Sequence, residues 1–132
     1  MKKEDKNFKT DSIKEQDIEL VKELSPDIMD KLRKVPKDRI GLIVIKGPSI
    51  GEKFFLNKPE LSIGRSSDSD ILLDDITVSR HHAIIEIIDG DYVIKDLGSL
   101  NGTYLNGKIV NESKLSSGDR IQIGKYIFLF FS

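Results

Sequence analysis

The feature that most constrains this fold is the series of short apolar runs that fills the chain from Ile40 onward. Ile, Val, Phe and Tyr are concentrated in these runs, and Gly, Asp, Asn and Ser separate them, a pattern typical of β-strands joined by tight turns. Asp89-Gly90 and Asn106-Gly107 supply residues that tolerate the positive φ angles of a two-residue hairpin. Short strands at this spacing predict an antiparallel β-sandwich and argue against a parallel α/β sheet.

The pattern predicts an all-β sandwich of about ten or eleven short strands. They are expected near residues 40–46, 52–57, 60–64, 70–73, 82–88, 91–96, 103–105, 108–110, 119–123 and 126–131. Gly47-Pro48-Ser49 and Ser117-Gly118-Asp119 are predicted to form further turns between strands.

Residues 1–39 are predicted to form an extension to a domain of residues 40–132. The first nine residues are strongly charged and are expected to be disordered. A helix capped by Asp11 or Ser12 is predicted to run to about Leu24, and a second is predicted to run from Ser25-Pro26 to about Lys34, because these residues suit helix N-termini. Pro36-Lys37-Asp38 would end the second helix.

The apolar residues of this extension recur at helical spacing. They lie near one side of each predicted helix: Ile13, Leu20, Val21 and Leu24 in the first, and Ile28, Met29, Leu32 and Val35 in the second. Such a side can pack on the sandwich, mediate dimerisation or dock a partner. The sequence leaves these three alternatives and the oligomeric state open.

Composition excludes several classes of function. The net charge of −1 lacks the basic excess of a nucleic-acid-binding surface. Without cysteine, the chain has no disulfide framework and no Cys-based zinc site. Adjacent His81 and His82 point to opposite faces of a strand and are poor joint metal ligands, so we expect no metal or cofactor. Because no apolar run suits a signal peptide or a membrane span, the expected location is the cytoplasm.

Three polar motifs between the strands supply groups that suit a phosphorylated peptide. Arg65 offers a permanently charged, forked donor for a phosphate dianion. Ser79 offers a hydroxyl, and Arg80 adds a backbone amide and positive charge. The Asn101 side chain carries both a donor and an acceptor, which suits a grip on a peptide backbone.

The motifs Gly64-Arg65-Ser66, Ser79-Arg80-His81-His82 and Ser99-Leu100-Asn101-Gly102-Thr103, in this order, resemble the forkhead-associated (FHA) domain. The resemblance extends from about Ile40 to Phe131. It implies an FHA/SMAD-like sandwich and a module that binds phosphothreonine peptides.

The resemblance also implies roles for individual residues. The phosphopeptide-binding residues would be Arg65, Ser79, Arg80, Ser99, Leu100 and Asn101. Thr77 and Val78 would lie in the loop that faces the third residue after phosphothreonine. The residues that support the site would be Gly64, His82, Gly102, Asn106 and Gly107, with His82 bracing the loops without touching phosphate.

The runs from Ser69 to Arg80 and from Asp96 to Tyr104 resemble a bacterial subgroup, the actinobacterial FHA regulators of 2-oxoglutarate metabolism and glycogen accumulation. In that subgroup, an N-terminal phosphothreonine folds back into the protein's own site. The adjacent threonines of that motif are absent here, and Thr10 is the candidate phosphorylation site, with Ile13 at the third position after it. The alternative is that Thr10 is an unmodified residue near a helix start.

The resemblance therefore implies a non-catalytic adaptor or regulator in Ser/Thr kinase signalling, whose partner is a phosphothreonine-containing protein. The alternative is phospho-independent binding to a metabolic enzyme or other protein, through the sandwich face or the N-terminal helices. An enzyme is not expected, because the sequence carries no pairing of nucleophile and base and no phosphate-binding glycine loop before a helix. The aspartates near residues 68–75 lack the spacing of a calcium loop.

Overall fold

The computed structural model describes residues 40–132, which form eleven β-strands and no helix. The strands are β1 Gly41–Lys46, β2 Lys53–Phe55, β3 Glu60–Gly64, β4 Ile71–Leu72, β5 Ala83–Ile88, β6 Asp91–Asp96, β7 Thr103–Leu105, β8 Lys108–Val110, β9 Glu112–Lys114, β10 Arg120–Ile123 and β11 Tyr126–Phe131. None of the described residues contributes a helix long and apolar enough to cross a membrane. The predicted N-terminal helices and Thr10 lie outside the described residues.

The strands form two sheets, as predicted for a sandwich. One sheet has the order β2-β1-β11-β10-β7-β8, and the other has the order β4-β3-β5-β6-β9. Neighbours pair antiparallel except β3 and β4, which run parallel with Ile63 opposite Ile71. Strand β9 was not predicted, because Glu112–Lys114 has no apolar alternation. It forms by pairing with β6, where Val93 lies opposite Lys114.

Two hairpin turns have the backbone that their sequences indicate. The φ angles are 52° at Asp89 and 84° at Gly90, and the same 52° and 84° at Asn106 and Gly107. Positive φ at both central residues matches the right-handed twist of the flanking strands. These turns fix the register of β5 with β6 and of β7 with β8.

The core lies between the two sheets and is built from alternate residues of their strands. In β11, Tyr126, Phe128 and Phe130 point inward, as the two-residue period of a strand requires. Phe128 is fully buried. Its ring stacks on that of Tyr126 with centroids 6.1 Å apart and meets the edge of Phe54 at 6.3 Å. This aromatic cluster anchors the sheet that carries the β10–β11 turn.

We predict that Phe128→Ala lowers the free energy of unfolding by about 3–5 kcal/mol, because it removes a buried ring and leaves a cavity. Ile109→Ala, at an exposed position of the same sheet, should change it by less than about 0.5 kcal/mol. Urea unfolding followed by circular dichroism measures both. Equal losses in the two variants would contradict this account of the core.

Candidate functional site

Three loops meet at one end of the sandwich and bring the predicted residues together. They are residues 65–70 between β3 and β4, residues 73–82 between β4 and β5, and residues 97–102 between β6 and β7. The first two are joined by the backbone N–H groups of Arg65 and Ser66, which donate to the carbonyls of Ser79 and Arg80 at 3.0 Å each. The third loop is joined to the second by the Leu100 N–H, which donates to Ser79 Oγ.

Gly64 permits this close approach of the first two loops. A β-carbon at position 64 would collide with the Arg80 carbonyl oxygen and lie 3.1 Å from Ser69 Oγ. The glycine is therefore needed for space, since its φ is not among the positive values. Its position explains how Arg65 can leave the end of β3 directly beside Ser79.

The Arg65 side chain is held by one of its nitrogens, and its other two nitrogens remain available to a ligand. Its Nε donates to the Val78 carbonyl oxygen at 3.0 Å, while the side chain remains exposed. Among residues 40–132, no carboxylate forms an ion pair with it. The guanidinium is thus fixed in direction, with its terminal nitrogens available to an anion.

Ser79 and Arg80 present further donors at the same place. Ser79 Oγ accepts the Leu100 N–H at 2.9 Å, which leaves the hydroxyl proton available for donation. The Arg80 backbone N–H makes no hydrogen bond within the described part of the chain. The two groups and the Arg65 guanidinium can therefore converge on one set of phosphate oxygens.

His82 connects the loops from below. Its ring is fully buried; Nδ1 accepts the Ser79 N–H at 3.0 Å, and Nε2 lies 2.9 Å from the Gly102 carbonyl oxygen. An imidazole ring that accepts a hydrogen bond at Nδ1 and faces a carbonyl oxygen at Nε2 is the neutral tautomer with its proton on Nε2. Neighbouring His81 is exposed and takes no part in this bridge.

Asp96 organises the β6–β7 loop and was not among the predicted site residues. Its carboxylate accepts the hydroxyls of Ser99 at 2.5 Å and Thr103 at 2.8 Å, and the N–H groups of Gly98 and Ser99 at 3.0 Å each. Burial acts to raise the pKa of Asp96, but these four hydrogen bonds outweigh it, and the pKa is lowered. The available signal was the local spacing of Asp96, Ser99 and Thr103, which suits a carboxylate-capped turn.

Ser99 faces inward toward this network. Its hydroxyl donates to Asp96 and accepts the Gly102 N–H at 2.9 Å. Leu100, by contrast, is 89% exposed, while its N–H is committed to Ser79. Of these two residues, Leu100 is therefore the one whose side chain is open to a ligand.

Asn101 is tied to Thr77 across the site. Its Nδ2 donates to the Thr77 carbonyl oxygen at 2.9 Å, and its Oδ1 stays open. The Thr77 hydroxyl donates to Asp75 at 2.6 Å and accepts the Lys125 N–H at 3.1 Å. The hydroxyl and the N–H of Thr77 lower the pKa of Asp75, with a smaller effect from Lys125.

A groove of about 330 Å³ continues from Asn101 along the β10–β11 turn. It is lined by Thr77, Asn101, Gly102, Tyr104, Gln122, Gly124 and Lys125. Thr77 thus borders the groove, but the Val78 side chain is only 1% exposed and belongs to the core. Val78 can serve the site only through its backbone, whose carbonyl holds Arg65.

Asn106 and Gly107 form the β7–β8 turn, at the other end of β7 from Gly102. Asn106 Nδ2 donates to Asp119 at 3.0 Å, and its Oδ1 accepts the Arg120 N–H at 2.9 Å. The structure therefore places the first Asn-Gly pair at the site and the second in a distant turn. Within the described residues, no group of His, Asp and Glu is arranged to hold a metal.

Comparisons with known proteins identify the fold family. Residues 61–124 match the family described as FHA domain. The chain is 42% identical over 125 residues to an oxoglutarate dehydrogenase inhibitor from Corynebacterium jeikeium, covering 95% of this chain and 85% of that protein. This chain belongs to the FHA domain family. The resemblance drawn from the sequence motifs is confirmed.

Two further likenesses agree with this assignment. The chain is 45% identical over 98 residues to the glycogen accumulation regulator GarA of Mycolicibacterium smegmatis, covering 74% of this chain and spanning 62% of that relative's length. A solved structure from work on phosphothreonine-dependent FHA domain interactions superposes with a TM-score of 0.65 at 30% identity, covering 71% of this chain and 96% of that one.

We predict that Asp96 makes the site loops sensitive to acid. Because the pKa of Asp96 is lowered from its usual 3.8, its stabilising contribution is complete above about pH 4 and is lost as the pH falls through the lowered value. Asp96→Asn should cost stability at neutral pH, and its difference from the wild type should shrink below about pH 4. Urea unfolding across this pH range measures the difference.

Asp89→Asn, in an exposed hairpin turn, is the matched control and should cost little stability at neutral pH. A cost of Asp96→Asn that stayed constant with pH would show that the carboxylate charge is not what holds the loop.

Proposed function

We propose that this FHA domain reads phosphothreonine in a partner protein, as a non-catalytic adaptor or regulator in Ser/Thr kinase signalling. The observation that carries the proposal is the Arg65 guanidinium. It is aimed by its bond to Val78, has no carboxylate partner among residues 40–132, and lies beside two unused donors of Ser79 and Arg80. An always-charged fork with adjacent hydroxyl and amide donors is suited to a phosphate dianion.

The rest of the site suits the peptide that carries the phosphate. Asn101 Oδ1 is open to a backbone N–H of the ligand, and its Nδ2 is steadied by Thr77. The exposed Leu100 side chain can cover the threonine methyl group, whose burial is worth about 0.8 kcal/mol. The groove beside Thr77 and Lys125 would receive residues that follow the phosphothreonine, including the third.

The relatives support a binding role. Their names are those of a regulator and an inhibitor, and the superposed FHA structure was studied for phosphothreonine-dependent interactions. Because FHA domains are binding modules, this chain is not an enzyme. The cytoplasm, where Ser/Thr kinases and their metabolic targets meet, is the proposed location.

The alternative, phospho-independent binding to a metabolic enzyme, is favoured by the name of the relative that inhibits oxoglutarate dehydrogenase. Such binding would use surfaces other than the phosphate donors. It is therefore separable from phosphopeptide binding by a substitution at Arg65.

We predict that Arg65→Ala weakens binding of a phosphothreonine peptide by about 10- to 100-fold, because it removes charge-assisted hydrogen bonds to phosphate. Arg80→Ala removes the same charge nearby but keeps the backbone amide, and should cost less than about three-fold. Isothermal titration with phosphothreonine, phosphoserine and unphosphorylated peptides measures these affinities. A panel varied at the third position after phosphothreonine would define the preference of the groove.

Binding of the phosphothreonine form alone, with the expected weakening in Arg65→Ala, would establish the proposed function. Equal losses in the two arginine variants would show that general positive charge, and not the Arg65 fork, attracts the peptide. If the protein binds a partner enzyme and Arg65→Ala leaves that binding unchanged, the phospho-independent alternative would be supported instead.

We predict that substitutions in the two Asn-Gly pairs have different effects, one on phosphopeptide binding and the other on stability. Asn101→Ala should weaken phosphopeptide binding about ten-fold, because it removes the grip on the peptide backbone, with little loss of folding free energy. Asn106→Ala should lower the free energy of unfolding by about 1–2 kcal/mol, since it loses two hydrogen bonds and forces alanine to a positive φ. Titration and urea unfolding of both variants measure the split, and the reverse pattern would contradict these assignments.

A further inference from the structure

The six-stranded sheet has a second apolar face, on the side away from the other sheet. Its buried members are Ile43, Ile45, Leu129 and Phe131, with Phe55 and Ile127 packed against them. These residues alternate along β1 and β11 with residues of the core between the sheets, so they point to the opposite side. We call these six residues the outer apolar face.

The outer apolar face is buried although no described element covers it. Ile43 and Leu129 are 0% exposed, and Phe131 is 4% exposed. Every strand of residues 40–132 belongs to one of the two sheets, and the described apolar residues packed on this face lie in the same sheet. Neighbours within a sheet shield only the flanks of a side chain, so burial this complete over several large residues requires a further layer.

The outward side of the five-stranded sheet differs in composition. Its members there include Glu86 and Lys95, whose carboxylate and ammonium groups lie 2.8 Å apart. The buried Val93 on that side lies between Glu86 and Lys114 across the strands, so long charged side chains can cover it. The outer apolar face instead groups six large apolar side chains on three adjacent strands, which water would solvate poorly.

We propose that residues 13–35 of this same chain pack on the outer apolar face. Both helices predicted in this segment carry apolar residues near one side, which is the complement that an apolar sheet face needs. The first predicted helix, of residues 13–24, would be about 18 Å long. Strand β1, with six residues, spans about 20 Å, so the two match in length.

The connection to the domain favours this occupant over a separate molecule. The segment ends a few residues before β1, whose first residue, Gly41, pairs with Phe55 and Phe131 of the face. The segment that precedes β1 therefore joins the domain beside the outer apolar face. A tether this short gives an effective concentration in the millimolar range, which an independent partner rarely reaches.

Charge agrees with the same placement. Lys53 and Arg120 flank the row formed by Ile43 and Leu129, because Lys53 pairs with Ile43 and Arg120 with Leu129. The first predicted helix carries four acidic residues, Glu15, Asp17, Glu19 and Glu23, against two lysines, and is therefore net negative. Opposite charges around an apolar contact favour one docking orientation.

Docking there would leave the phosphopeptide site open. The C-terminal end of β1 lies at the site, since Gly47 packs against the Lys125 backbone of the β10–β11 turn and that turn contacts Thr77. The N-terminal end of β1, where the segment joins, is at the opposite end of the sheet. The proposal is therefore independent of the proposed function.

Thiol labelling tests the coverage, because the chain has no cysteine of its own. In the full chain, Ile43→Cys and Ile127→Cys should react with a maleimide much more slowly than Glu112→Cys on the exposed edge strand β9. Leu20→Asp with Leu24→Asp, on the apolar side of the segment, should speed labelling at either face position by about ten-fold or more. Lys22→Asp, on the opposite side of the same helix, should change it by less than about two-fold.

Labelling of both face positions as fast as Glu112→Cys would overturn the proposal. Slow labelling that is unchanged by the two leucine substitutions would also overturn it. Phosphothreonine-peptide affinity, measured on the same variants, should stay within about two-fold, so failure of the docking proposal is distinguishable from failure of the proposed function.

A spin label at Lys22→Cys identifies the occupant. In a dilute ¹⁵N-labelled chain, it should broaden the backbone amide signals of Ile43 and Leu129 and spare those of Ile84. A second sample mixes spin-labelled protein that lacks ¹⁵N with ¹⁵N-labelled protein that lacks the spin label. Broadening seen only in this mixture would mean that a second copy covers the outer apolar face. That result, or no broadening in either sample, would overturn the proposal.

Discussion

The site depends on one buried imidazole. His82 accepts the Ser79 N–H and donates to the Gly102 carbonyl, so a single fully buried ring fixes two loops that are far apart in sequence. A buried polar ring stays in place only when both nitrogens have partners. Ser79 Oγ in turn accepts the Leu100 N–H. His82 therefore positions both the phosphate donor Ser79 and the β6–β7 loop that faces the peptide.

Two carboxylates extend this support outward. Asp96 holds the β6–β7 loop and Asp75 holds Thr77, and each has a lowered pKa because hydroxyl and N–H donors converge on it. The lowered pKa values mean that both carboxylates are ionised at neutral pH. Here their oxygens are occupied by internal donors, so they rigidify the loops while Arg65 provides the unpaired charge.

The six-stranded sheet that frames the site is apolar on both faces. Its inner face holds the Phe128 cluster, and its outer face holds Ile43 and Leu129. Residues 40–132 supply two layers of the structure, and the docking proposed above would add a third on the outer apolar face. The three site loops lie at one end of the two sheets, where each loop is accessible to a peptide.

The sequence alone determined the sandwich, the hairpins at Asp89-Gly90 and Asn106-Gly107, and the three motifs, because strand period and turn preference are local properties. Only the tertiary structure decided the role of Asp96, the burial of Val78 and the pairing of β9. The pairing of β9 depends on a partner strand about twenty residues away in sequence, and the burial of Val78 depends on which side of its loop faces the core. The role of Asp96 depends on the turn that brings the hydroxyls of Ser99 and Thr103 onto its carboxylate. The same reason separates Asn101 from Asn106: identical dipeptides differ only in what the fold brings near them.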